Sequence, residues 1–187
     1  LKILTLQGSP KKDGNTAAAL ALFEKALGDG HEIEHVDVAD LTLVGCQGCY
    51  ECQKNPNEPA CVTKDDALGV VNRLLAADAV VYATPLYMWG IAARMRALME
   101  RHLCLVTGYG GDSWKSLIEG KKVALLVTCG GPVEKNADVI QDVFDRFAGF
   151  AGCEVVGKYI AAGASTPDRA EEFAGGVVRR MAADLLA

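Results

Sequence analysis

This sequence predicts a doubly wound α/β domain with a five-stranded parallel sheet, and three observations predict it. Five short apolar runs recur along the chain, and helical patterns lie between them. The inner runs VVYA and VALLV are almost continuously apolar, as strands buried on both faces must be. Half of the 187 residues are hydrophobic, enough for one core, and no repeat, low-complexity tract or linker divides the chain. Residues 1–187 therefore read as a single domain.

The elements follow in order. KILTLQ is the first strand. NTAAALALFEKAL, over 15–27, is rich in helix formers and stops at Gly28. HEIEHVDV, 31–38, alternates as a half-buried strand does. A cysteine-rich loop, 39–64, precedes a helix over 65–77. DAVVYAT, 78–84, is the third strand, and GIAARMRALMERHL, 90–103, places Ile91, Met95, Leu98 and Met99 at helical spacing. KKVALLVT, 121–128, and EVVGKYIAA, 154–162, supply the last two strands, followed by helices over 133–152 and 166–187. Two segments have no place in this scaffold: the cysteine loop and CLVTGYGGDSWKSLIEG, 104–120. Loops of such length are usually functional or mobile.

Composition narrows the function. The net charge of −5, with no cationic stripe, argues against a nucleic acid or an anionic membrane as partner. No apolar run approaches the ~20 residues that span a bilayer. The first residues form a strand rather than a signal peptide. Seven cysteines, an odd number with four between Cys46 and Cys61, fit a cytoplasmic thiol or metal cluster better than a disulfide framework. Cys104, Cys129 and Cys153 are scattered and read as core packing.

In a doubly wound sheet, ligands bind outside the carboxyl ends of the strands at the switch point, so the loops 8–16, 84–90 and 128–134 carry the chemistry. GSPKKDGNT runs from a strand into a helix. Five residues separate Gly8 from Gly14, and Asn15 stands where a nucleoside-triphosphate loop has its lysine. The glycine fingerprint of a dinucleotide site is missing as well. Hydroxyls at Ser9 and Thr16, a close-approach glycine at Gly14 and an N-cap at Asn15 instead suit one phosphate at a helix N-terminus. TPLYMWG places Pro85, Leu86, Tyr87, Met88 and Trp89 as a wall for a planar ring. TCGGP offers backbone N–H groups to the polar edge of that ring. A monophosphate and a planar ring at this position describe FMN. No Ser-His-Asp set or carboxylate pair is evident, which suits a cofactor that carries the chemistry itself, so no catalytic side chain is assigned.

With GSPKKDGNT, the CxGCxxC run with its later cysteine and KDD (Cys46 to Asp66), and TPLYMWGIAARMRALMER, the chain resembles the flavodoxin-like NADPH-dependent FMN reductase family and its relatives, the iron–sulfur flavoproteins. The resemblance covers the chain to about residue 135. It implies noncovalent FMN, reduced by NAD(P)H and reoxidised by a quinone, a flavin or another small acceptor. Carried over by motif, Ser9, Lys11, Gly14, Asn15 and Thr16 hold the phosphate. Pro85, Leu86, Tyr87, Met88 and Trp89 line the ring, and Thr128, Cys129, Gly130 and Gly131 face its far edge. The family commonly forms dimers, so a homodimer or a dimer of dimers is expected. Loop 84–90 and the stretch with Tyr109 and Trp114 supply the apolar surface. The alternative readings are an iron–sulfur flavoprotein and a flavodoxin-type electron carrier between redox proteins.

Cys46, Cys49 and Cys52 are spaced as the first three ligands of a bacterial ferredoxin run. Cys61 follows after eight residues that include Pro56 and Pro59. A 4Fe–4S cluster, a zinc site and cluster-free thiols all remain open for these four. His31 and His35 read as solvent-facing strand residues, and His102 as a cationic group at a helix C-terminus.

Overall fold

The computed structural model of the chain describes residues 1–108 and 111–187. Five parallel strands form the sheet: β1 (Lys2–Gln7), β2 (Glu32–Asp37), β3 (Ala79–Tyr87), β4 (Lys122–Cys129) and β5 (Glu154–Ala162). Their spatial order is β2-β1-β3-β4-β5. The order reverses between β1 and β3, and that reversal is the switch point the sequence pointed to. Helices α1 (Asn15–Leu27) and α5 (Ala170–Leu186) cover one face. Helices α2 (Ala67–Ala76), α3 (Ala93–Glu100) and α4 (Asp138–Ala151) cover the other.

Strand alternation explains both layers. Ile3, Val81, Leu126 and Tyr159 point to Leu20 and Phe23 of α1 and to Val178 and Met181 of α5. Their neighbours Leu4, Leu6, Val80, Tyr82 and Leu125 point the opposite way, to Leu74, Met95, Leu98 and Phe144. A strand between two helical layers must be apolar at every position, which is why β3 and β4 read as unbroken runs.

Several expected boundaries move. β3 runs three residues past Thr84, through Pro85, which sits opposite Thr128 at the end of the ladder. Gly90–Ile91, expected to start a helix, instead pairs antiparallel with Leu86–Tyr87, so α3 begins at Ala93. α4 begins at Asp138 rather than at residue 133. The stretch 104–120, which had no expected role in the scaffold, has one. Ile118 is fully buried, Ser116 Oγ donates to Ala151 O at 2.6 Å, and Trp114 packs where any side chain at Gly152 would sit. Tyr109 lies outside the described residues. Among the described residues no helix is long and apolar enough to cross a membrane.

His35 faces solvent on β2 as expected, and His102 departs from expectation. His35 is held by Glu24 at 2.8 Å, which raises its pKa. His102 is fully buried rather than cationic at a helix end. Its Nδ1–H donates to Leu98 O at 3.0 Å, because a carbonyl can only accept, and its Nε2 then accepts from Tyr82 O–H at 2.9 Å. Phe144 and Phe147 pack edge-on to Tyr82. Burial lowers the His102 pKa to about 4. The unfolded chain therefore takes up a proton below its ordinary value of about 6.5 while the folded chain does not. The stability from neutral His102 is complete above that value and is lost as the pH falls toward 4. Thermal unfolding of wild type should show a drop of up to roughly 3 kcal/mol across this window beyond that of His102→Gln. Parallel pH profiles of the two proteins would exclude it.

Candidate functional site

The carboxyl ends of β1, β3 and β4 open onto a cavity of about 470 Å³. Its first wall is the β1–α1 loop. Gln7, fully buried at the end of β1, organises this loop: its Nε2 donates to Lys11 O at 3.2 Å and its Oε1 accepts from Ser9 N–H. Ser9 Oγ in turn accepts from Lys11 N–H at 3.1 Å. The N-cap of α1 is Gly14, not Asn15, and no side chain caps the helix. Gly14 has no side chain to spend on capping, and a Cβ there would lie 3.0 Å from Lys11 Cβ. The first N–H groups of a helix have no partner within it, so they are left for an anion, favoured by the helix dipole.

Asn15 takes a different task as the first helical residue. Its Nδ2 donates to Ser165 O at 3.2 Å, tying α1 to the turn after β5. Its Oδ1 is buried without a hydrogen-bond partner among the described residues. Thr16 and Thr128 share a hydrogen bond of 2.7 Å between hydroxyls, joining the first wall to the β4 loop.

The second wall is the end of β3. Pro85, Leu86 and Tyr87 border the cavity. Thr84 Oγ1 braces this wall by donating to Pro85 O and accepting from Ala92 N–H, at 3.0 and 3.1 Å. Met88 and Trp89 lie beyond the cavity wall, at the tip of the two-residue hairpin, with φ of 47° and 60°. Two successive positive φ angles make a type I′ turn, which favours Asn-Gly and strains side-chain-bearing residues. Met88 is 86% exposed, so little in this chain repays the strain through burial.

Thr128, Cys129 and Gly130 form the third wall, and Gly131 falls outside it. Burial raises the Cys129 thiol pKa, and its S–H donates to Gly131 O at 3.4 Å. A fourth wall, Ala164 to Pro167, went unread in the sequence. It follows the last strand, and the Ala164 N–H bond to Cys129 O at 2.9 Å folds it over the cavity. Its Ser-Thr-Pro run is an ordinary helix-start signal, so nothing local marked it as part of a site.

The cysteine loop makes a second feature. Cys46, Cys49, Cys52 and Cys61 line one small cavity of about 20 Å³, and Cys104, buried in the core as expected, also borders it. Arg101 and Asp65 form a fully buried ion pair of 2.6 Å beside it. Arg101 also donates to Val44 O at 2.9 Å and to Cys61 Sγ at 3.0 Å. Burial pushes the Cys61 thiol up, but the Thr63 backbone and Arg101 outweigh it, so its pKa is lowered. Among the described residues, no three His, Cys, Asp or Glu side chains are grouped so as to hold a single metal ion.

Comparison with known proteins adds family evidence. The model of the NADPH-dependent FMN reductase family matches residues 1–167. An iron–sulfur flavoprotein of Methanocaldococcus jannaschii is 30% identical over 110 residues, which are 58% of this chain and 55% of that protein. The match thus spans about half of that relative. An iron–sulfur flavoprotein of Methanosarcina thermophila is 28% identical over 92% of this chain and 85% of its own length. The solved NAD(P)H:quinone oxidoreductase from Methanothermobacter marburgensis shares the fold, with a TM-score of 0.76 and 21% identity over 100% of this chain and 96% of that one.

The hairpin tip can be tested by itself. Replacing Met88 with Asn and Trp89 with Gly should raise stability by about 1 kcal/mol in urea unfolding, because both residues accept φ > 0. A loss of stability would mean that the tip is held by contacts that outweigh its backbone strain.

Proposed function

We infer that this chain, which belongs to the NADPH-dependent FMN reductase family, is an NAD(P)H oxidoreductase whose FMN lies in the cavity at the carboxyl ends of β1, β3 and β4. One observation carries the reading: an uncapped helix N-terminus opens into the same cavity as a flat Pro85–Tyr87 wall. The residues fit the cofactor chemically. Ser9, Thr16 and Thr128 bring hydroxyls, Lys11 a positive charge and α1 its free N–H groups, a donor set for one phosphate. A cavity of about 470 Å³ lies in the range of cofactor sites.

FMN supplies two-electron redox chemistry, taking a hydride equivalent from NAD(P)H and passing electrons to a quinone, a flavin or another small acceptor. The chain's part is placement. The bond between Thr16 and Thr128 fixes the spacing of the phosphate loop and the β4 loop. Thr84 holds the Pro85–Tyr87 wall at one distance from them. Cys129 and Gly130 line the cavity, and their backbone N–H groups would stabilise negative charge at the polar edge of the ring. The Cys129 thiol, kept protonated by burial, adds no competing charge there. A small-molecule acceptor, cytoplasmic location and a homodimer or dimer of dimers complete the proposal. Support for self-association comes from exposed Tyr87, Met88 and Trp89 at the cavity mouth and exposed Val139 and Phe150 on α4.

A second reading of the cysteine loop has its own observation. Four thiols, far apart in sequence spacing terms at Cys52 and Cys61, converge on one cavity beside a buried cation. Soft thiolates at such spacing are the ligand type of an iron–sulfur cluster, with Cys46, Cys49, Cys52 and Cys61 as the candidates, but the space between them, about 20 Å³, holds one water-sized sphere and does not fit an assembled cluster as the loop stands.

Acid release of the bound flavin followed by chromatography should yield FMN, and anaerobic mixing with NADH or NADPH should bleach it. Thr16→Ala should weaken FMN binding by about 1–3 kcal/mol, the worth of a hydrogen bond to a charged group. Stoichiometric FAD, or no bleaching with either nucleotide, would sink the reading. Light scattering at micromolar concentration should report a dimer or tetramer; a monomer would remove the proposed assembly.

A further inference from the structure

The segment that continues α3, Arg101–Leu105, holds two of the loop thiols at one narrow space. Cys61 is held by Arg101, whose Nη2 donates to its Sγ at 3.0 Å and to Thr63 O at 3.4 Å. The guanidinium is itself fixed, because Nη1 is committed to Asp65 and to Val44 O at 2.6 and 2.9 Å. Cys52 is held through its neighbour Gln53, whose Nε2 donates to Leu103 O at 3.2 Å and to Val106 O at 2.8 Å. The Cys52 S–H points the same way, donating to Leu103 O at 3.9 Å. The space that both sulfurs border, about 20 Å³, takes one water-sized sphere. A 4Fe–4S cluster does not fit there, and opening the loop to admit one would break the fully buried pair of Arg101 and Asp65. The other two loop thiols are placed differently. Cys46 Sγ accepts from the N–H of Gly48 at 3.5 Å within its own turn, and Cys49 is exposed. All of these cysteines carry free thiols.

We propose that Cys52 and Cys61 are a thiol–disulfide pair oxidised by a peroxide, rather than ligands of a cluster. The two sulfurs take unequal parts. The guanidinium N–H on Cys61 favours negative charge on that sulfur, and Cys61 is only half-buried, within reach of a small oxidant. Cys52 is buried and directs its S–H at a carbonyl. The Cys61 sulfur therefore attacks one oxygen of hydrogen peroxide. The O–O bond breaks, and the hydroxide that leaves takes up the proton lost by the Cys61 thiol, as water. Cys61 is then a sulfenic acid. The Cys52 sulfur attacks the Cys61 sulfur, the S–O bond breaks, and the departing hydroxide takes the Cys52 proton as a second water. The peroxide has gained two electrons, and the two thiols have lost them to form one S–S bond. A dithiol restores both thiols by exchange. The proposal is independent of the flavin reading, since neither sulfur borders the cavity at the strand ends.

The test uses the whole chain as purified, reduced with dithiothreitol, freed of it, and kept without NAD(P)H. Equimolar hydrogen peroxide should lower the seven thiols, counted after denaturation, by two, to five. Proteolysis without reductant should then yield one linked pair of peptides, joining Cys52 to Cys61, and dithiothreitol should restore all seven thiols. With dimedone present, Cys52→Ser should be trapped as the sulfenic acid at Cys61, whereas Cys61→Ser should keep Cys52 unmodified. The peptide map of wild type decides the pairing even if a variant does not fold. No loss of thiols, a link between other cysteines, or trapping at Cys52 in Cys61→Ser would overturn the proposal. Anaerobic incubation of wild type with ferrous iron and sulfide should leave it without a cluster. About four irons per chain, lost in Cys61→Ser, would restore the ligand reading and overturn the proposal as well. Flavin content is measured alongside: a chain without FMN would sink the flavin reading and leave the thiol outcomes standing.

Discussion

The N–H of Gly8 donates to the carbonyl of Ala83 at 2.8 Å, and this bond at the top of the β1–β3 ladder fixes where the chemistry begins. Below it the strands pair in register, Ile3 to Ala79 through Gln7 to Ala83. Above it the two strands part, one into the β1–α1 loop and the other into the Pro85–Tyr87 wall. The junction tolerates no side chain: a Cβ on Gly8 would lie 2.8 Å from Met95 Cβ and 3.0 Å from Ala83 O. Helix α3 therefore packs directly over the loop that precedes α1. The cavity has its shape because a buried parallel sheet ends here, and each loop departs from a fixed rung.

A second anchor acts on the far side of α3. Residues 39–64 contain little regular structure and cannot hold themselves in place. Asp65 and Asp66 bind the N–H groups of Val44 and Thr42, and Arg101 binds Asp65 and the Val44 carbonyl. Removing one partner of so buried a pair leaves the other charge unmatched, at a cost of about 3–5 kcal/mol. The same α3 segment thus carries Met95 against Gly8 at the cavity at the strand ends and Arg101 beside the thiols. The two sites share a rigid element without sharing a side chain.

Order and irregularity are distributed by function in this fold. The strands and the bond from Thr16 to Thr128 are well satisfied, whereas unusual backbone gathers at the edges of the sites. Tyr50 in the cysteine loop and Met88 and Trp89 at the hairpin tip all hold positive φ without being glycine, as does Lys135 in the loop between β4 and α4, away from both cavities. Such conformations cost of order 1–3 kcal/mol each and persist where surrounding structure over-determines them. At the hairpin, the antiparallel pairing of Leu86 with Ile91 and the Thr84 bonds supply that constraint.

The sequence by itself determined the layer order, because burial on both faces forces unbroken apolar runs and burial on one face forces alternation. It also marked Ser9, Thr16, Pro85 and Thr128, since glycine-bearing loops after strands have few uses. Local pattern could not decide which residues of a marked loop face inward. Met88, Trp89 and Gly131 read like their neighbours, and a hairpin closing at Gly90 turned the first two away. Gln7 looked like one more strand residue and Arg101 like one more helical cation, yet each became the hub of a loop. Cys104 and the turn from Ala164 to Pro167 reach their sites from distant parts of the chain. Only tertiary structure decided these, because hydrogen bonds and packing between residues far apart in sequence leave no periodicity or spacing to read.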